Sequence, residues 1–80
     1  MSEIPRLRWR CRRGMKELDL LLNAYLDRRY PSAPGRERGI FEQLLELQDP
    51  QLFAYVIGRE TPTDSGVADV VSKIRDAAHG

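Results

Sequence analysis

The sequence predicts an all-α fold, a small antiparallel bundle of four or five short helices. Three observations carry this. Apolar residues recur at i, i+3, i+4 in four separate segments, the spacing of one buried helix face. Breaks rich in proline, glycine and capping residues separate those segments. The one alternating stretch, Leu7-Trp9-Cys11, would make a strand with no partner in the chain. Amphipathic helices joined by short connections bury their apolar stripes against antiparallel neighbours.

Pro5 to Arg12 reads as a short opening helix, with Leu7 and Trp9 docking on the bundle while the arginines stay solvated. From Lys16 to Tyr30, Leu18, Leu21, Leu22, Tyr25 and Leu26 form one face, with Asp19, Asn23, Asp27 and Arg28 mostly off it. Pro31 ends that helix, because the residue before a proline resists the α conformation. Ser32-Ala33-Pro34-Gly35 is a loop. Ile40, Phe41, Leu44 and Leu45 define a helix from about Arg36 to Leu47, with Glu37, Arg38, Glu42 and Glu46 largely outward. Asp49-Pro50 opens the next helix, Asp49 as N-cap and Pro50 at the first helical position. Its stripe is Leu52, Phe53, Val56 and Ile57, and Gly58 is its stop. Thr61 to Gly66 is a loop, and Val67, Val70, Val71, Ile74 and Ala78 mark the last helix. The expected core is Leu18, Leu21, Leu22, Tyr25, Phe41, Leu44, Leu45, Phe53, Val56, Val70, Val71 and Ile74.

Eighty residues make one domain, 1–80, with its core at about 6–78. Hydrophobic residues at 41% and charged residues at 31% fit a globular protein, and a chain this short has little room for a deep pocket. The single Cys11 cannot form an internal disulfide, which favours a reducing compartment. No apolar run approaches the roughly 18 residues of a membrane span. The Arg-rich residues 1–13 run straight into a patterned helix and read as part of the domain, not as a transit peptide. The charge is uneven. Residues 1–40 carry ten Lys/Arg against five Asp/Glu, +5, and residues 41–80 carry three against seven, −4, for a net of +1. Such a polar molecule can orient a protein partner.

A search for catalytic chemistry is nearly empty. Cys11 and His79 lie at opposite ends of the chain with no zinc spacing between them. No phosphate-binding or dinucleotide-binding glycine motif is present. His79 reads as a tail residue and Cys11 as a small buried hydrophobe with no group to activate it. An enzyme reading has no residues to rest on.

Two features rise above background. Arg6, Arg8, Arg10, Arg12 and Arg13 surround Trp9, a set that could contact phosphates and stack on a base. The near-neutral chain weighs against nucleic acid, and the excess is short. The second feature is Arg13-Gly14-Met15-Lys16-Glu17. Glycine at a helix start costs about 1 kcal/mol relative to alanine, so it asks for a reason. Either Gly14 makes a turn between two helices, or it lets a partner's backbone approach. Arg13, read as an exposed side chain, offers a five-donor fork or an i,i+4 pair with Glu17. Residue chemistry alone leaves these alternatives even.

Arg13-Gly14-x-x-Glu17 resembles the R-G-x-x-E signature of the succinate dehydrogenase assembly factor family, also called the FAD assembly factor family. The surrounding Arg12-Arg13-Gly14-Met15-Lys16-Glu17-Leu18-Asp19 is similar to that family's opening. A second block matches at Phe41, Leu44, Leu45 and Glu46, then Asp49-Pro50-x-Leu52-Phe53. Tyr55 stands where the family usually has Trp. The likeness covers roughly residues 6–76. The resemblance implies a five-helix bundle that binds the flavoprotein subunit of succinate dehydrogenase or fumarate reductase. There it promotes covalent linkage of FAD to a histidine of that subunit. It further implies no catalytic residue, no metal and no cofactor held tightly by this chain, FAD being on the client. A monomer acting in the bacterial cytoplasm is expected, without nucleic acid or membrane as partner. The implied partner-binding residues are Arg13, Gly14 and Glu17, with Arg12, Asp49 and Tyr55 from the matching blocks.

Overall fold

Where apolar spacing of 3.6 is sustained, the chain is helical, and the breaks fall at its prolines and glycines. The computed structural model describes residues 3–79. Among them are five α-helices, α1 (Glu3–Arg10), α2 (Lys16–Arg28), α3 (Gly35–Leu44), α4 (Asp49–Val56) and α5 (Ser65–His79), and no strand. Of the alternating stretch, Leu7 and Trp9 lie in α1 as expected, and Cys11 sits in the turn just past its end. None of the helices is long and apolar enough to cross a membrane.

α5 packs most extensively on α2 and also against α3 and α4. The core between them is built from Leu18, Leu22, Tyr25, Phe41, Leu44, Leu45, Val56, Val70, Val71 and Ile74, all predicted, joined by Leu7, Cys11, Leu26, Tyr30 and Leu52. Leu21 and Phe53 are only half-buried at its margin. An aromatic cluster fills the α2–α3 junction, with the Tyr25 and Phe41 rings 4.5 Å apart and Tyr30 5.7 Å from Phe41. Such tilted contacts add to the burial of large rings.

Several boundaries differ from the sequence expectation. The opening helix starts and ends earlier, at Glu3 and Arg10. α2 stops at Arg28, and Tyr30–Ser32 tightens into one 3-10 turn. Pro31 is the reason, but Tyr30 stays buried because the turn keeps its ring facing the core. α3 ends at Leu44, and the last helix begins at Ser65, within the expected loop. His79 is the final residue of α5 and exposed, not a tail beyond it. Gly58 ends α4 with φ +86°, as a helix-terminating glycine does.

Two side chains depart from their predicted faces. Trp9 does not dock on the bundle: it is 69% exposed, because Leu7 and Cys11 occupy the inward face of α1. Glu37 is not outward but buried. Its Oε2 accepts the Tyr25 hydroxyl (2.6 Å) and Arg29 Nε (2.9 Å), and its Oε1 accepts Arg29 Nη2 (3.2 Å) and Lys73 Nζ (3.3 Å). Four donors replace the water that burial removes, so the charge is tolerated.

Candidate functional site

The α1–α2 turn carries the R-G-x-x-E residues, and its geometry begins with backbone bonds. At the end of α1, Cys11 N–H donates to Leu7 O (3.0 Å) and Arg12 N–H to Trp9 O (3.1 Å). Two residues later Gly14 takes φ +79°. That left-handed conformation disfavours most side chains, so the turn favours glycine here. A Cβ built there would meet nothing within 4 Å, so the position also faces open space. The turn and access readings of Gly14 are thus compatible.

The turn needs acceptors for the N–H groups it exposes. Asp19, in the first turn of α2, supplies them: Oδ1 accepts Arg13 N–H (2.9 Å) and Oδ2 accepts Gly14 N–H (3.2 Å). Met15, at the N-cap, makes no side-chain cap. Asp19 therefore caps the turn from inside the helix, where a carboxylate also suits the positive end of the helix dipole. Sequence reading placed Asp19 merely off the apolar face. Its position six residues after Arg13, next to a helix start, was the available signal.

Arg13 is not the exposed fork expected. Its side chain retains only 13% exposure. Nη1 donates to Asp49 Oδ1 (2.9 Å) and Leu47 O (3.0 Å), Nε donates to Arg10 O (2.9 Å), and Nη2 donates to Leu45 O. It does not pair with Glu17. The physical reason is unmet demand: the chain leaving α3 presents carbonyls with no intrahelical partner, and a planar fork satisfies two of them together with a carboxylate. Asp49 is accordingly not an N-cap. Gln48 holds that position without a side-chain bond, Asp49 begins α4, and its carboxylate is taken by Arg13.

The neighbouring arginines divide by face. Arg8 donates to Asn23 Oδ1 and Asp27, and Arg10 donates to Glu46 Oε2 (2.9 Å) and Glu42 O. Arg8, Arg10 and Arg13 thus bind α1 to α2 and to the end of α3. Arg12 points outward with its guanidinium 5.2 Å from the Trp9 ring centre. The Arg run is therefore less available to phosphates than its sequence suggests.

Gly14 and Glu17 are exposed, and Leu20, one turn on from Glu17, is 63% exposed. Arg12, Gly14 and Glu17 are therefore brought together at an accessible turn, with Arg13 and Asp49 beneath it. Tyr55 is not part of this constellation. It is half-buried, lining a hollow with Ile40, Leu47, Pro62 and Val67. Cys11 is fully buried, and burial pushes its thiol up to about 11, which disfavours the reactive thiolate. The site presents shape, charge and hydrogen-bonding groups, the chemistry of recognition.

Comparison with known proteins places the chain as a whole among named relatives. A family described as the flavinator of succinate dehydrogenase matches residues 5–78. A FAD assembly factor SdhE of Shewanella oneidensis is 40% identical over 78 residues, 98% of this chain and 95% of that protein. One of Methylococcus capsulatus is 44% identical over 75 residues, 94% and 90% of the two chains. One of Coxiella burnetii is 40% identical over 70 residues, 88% and 85%.

Proposed function

The chain belongs to the family of flavinators of succinate dehydrogenase, and from that premise we propose that it binds the flavoprotein subunit of succinate dehydrogenase and promotes covalent attachment of FAD to it. The observation that carries this is the family match over residues 5–78, nearly the whole chain. The geometry supplies a means. Arg12, Gly14 and Glu17 contact the client, Gly14 by admitting its backbone. Arg13 and Asp49 hold the turn in place, and Tyr55 lies on a separate surface that a large client can also reach.

The chain acts by binding, without a catalytic residue of its own. By favouring one conformation of the immature subunit it holds FAD and the attachment residue in reactive alignment. Such preorganisation accelerates a reaction without a further chemical group. FAD belongs to the client and no cofactor is held here. The reading extends to the fumarate reductase flavoprotein as a second client. It takes the five helices as an antiparallel bundle and the chain as a monomer working in the bacterial cytoplasm. It assigns neither nucleic acid nor membrane as a partner.

The test is covalent flavin fluorescence on the client subunit after denaturing electrophoresis, with and without this protein. Flavin retained by the client only when the protein is present supports the reading. Equal covalent flavin in both samples defeats it.

A further inference from the structure

We propose that the outward face of α1, formed by Arg6, Trp9 and Arg12, is a second contact surface for the flavoprotein client, in which Trp9 enters an apolar socket rimmed by carboxylates. The identity of the partner rests on the family reading above. The surface adjoins the glycine turn through Arg12, extends it along α1 to Trp9 and Arg6, and is argued from this structure.

Helix geometry places residues three apart on one face. Arg6, Trp9 and Arg12 have that spacing, and the Arg12 N–H bond to Trp9 O continues the turn to Arg12, two residues past the end of α1. Among the described residues Trp9 is the largest side chain left uncovered, at 69% exposure. Arg12 sits over its ring at 5.2 Å, and a shallow hollow beside it is lined by Ile4, Pro5 and Arg8. Tryptophan and arginine are the residues that most often dominate binding energy at protein interfaces. A tryptophan 69% exposed contributes little packing energy to the domain, so folding does not account for it.

Charge specifies the complement. Each of Arg8, Arg10 and Arg13 has a carboxylate within ion-pair distance. Among the described residues, no carboxylate pairs with Arg6, Arg12 or Lys16, which flank the ring and the turn. Their charge is uncompensated, so the matching surface carries acidic groups around an apolar site. Arg12 is two residues from Gly14, so this face and the accessible turn are continuous. Single-stranded nucleic acid is less well matched. It uses successive aromatic platforms, and this chain has a single tryptophan with three of its five clustered arginines committed internally.

That single tryptophan allows a direct test. Full-length protein grown with fluorotryptophan has one fluorine resonance, reporting Trp9 alone. It is titrated with the unlabelled flavoprotein subunit lacking covalent flavin, and flavinylation is followed in parallel. The resonance is expected to shift and broaden. Trp9→Ala and Arg12→Glu are each expected to weaken the complex about tenfold or more, with helical circular dichroism and melting unchanged. Trp9→Phe should recover part of the loss. If the complex forms and flavinylation proceeds while the resonance stays in place and Trp9→Ala binds as wild type, this surface is not a contact, although the family reading stands. If wild-type protein neither binds nor promotes flavinylation, the family reading falls and this inference with it. A resonance that responds to FAD alone or to a single-stranded oligonucleotide, and not to the subunit, overturns the proposal in favour of a nucleotide ligand.

Discussion

Arg13 donates to the Asp49 carboxylate at 2.9 Å across 36 positions of sequence, tying the glycine turn to the first residue of α4. The two blocks of sequence similarity thereby meet in one contact. The turn that presents Gly14 and Glu17 is positioned from beneath by the second block.

Arg13→Ala should therefore destabilise the domain, contrary to what an exposed arginine would do. It strands a half-buried carboxylate and leaves the Leu45 and Leu47 carbonyls without this donor. Loss of charge-assisted bonds of this kind costs roughly 2 kcal/mol, or about 10 °C in melting temperature for a domain this small. Arg13→Lys keeps the charge without the fork and should fall between. Circular dichroism melts decide it. A melting temperature within a degree or so of wild type would show that the pin contributes nothing to folding.

Gly14 separates conformation from contact. At φ +79°, Gly14→Ala should cost about 1–2 kcal/mol from backbone strain alone. Asparagine visits this region more readily, so Gly14→Asn should melt closer to wild type. If the client's backbone approaches here, Gly14→Asn should still lose flavinylation through its side chain. Normal flavinylation with a stable Gly14→Asn would remove close approach from the mechanism and leave the turn as the glycine's only role.

Glu37 makes stability depend on acid. The Arg29 hydrogen bond, followed by those of Tyr25 and Lys73 and opposed by burial, lowers its carboxyl from 4.5 to about 2. Between those values the unfolded chain binds the proton more readily than the folded one. Stability from Glu37 is therefore full above about pH 4.5 and is lost as pH falls toward 2. It amounts to a few kcal/mol, since the carboxylate is only 6% exposed. Glu37→Gln should lower the neutral-pH melting temperature and flatten its fall in that window. Parallel curves for wild type and variant would refute the assignment.

Cys11 should resist alkylation in the folded state. It is fully buried and its thiol is raised to about 11 by that burial. The thiolate is the reactive form, so iodoacetamide should label Cys11 at neutral pH only as fast as the domain opens. The labelling rate should rise with Leu44→Ala, which removes a fully packed side chain and costs about 2–5 kcal/mol. Rapid stoichiometric labelling of the stable wild type would contradict this burial.

Periodicity made most of the fold legible. Leu18, Leu22, Tyr25, Phe41, Leu44, Val70, Val71 and Ile74 announced their faces by spacing, and Pro31 and Gly58 announced the ends of two helices. The accessible turn was legible too, because glycine before a helical pattern costs stability unless conformation or contact requires it. Local sequence determines such features because propensity and periodicity act over a few residues.

Only the tertiary structure decided which polar side chains are structural. Arg13 and Glu37 looked solvated because charge usually is. Each is instead buried or half-buried against partners 36 positions away: Asp49 for Arg13, and Lys73 for Glu37. Trp9 looked like a docking residue because tryptophan usually is, yet Leu7 and Cys11 took the inward face of α1. A charge can be buried, and an aromatic ring left in water, according to what the rest of the chain brings within about 3 Å. That proximity is set by packing between distant segments, which no local pattern encodes.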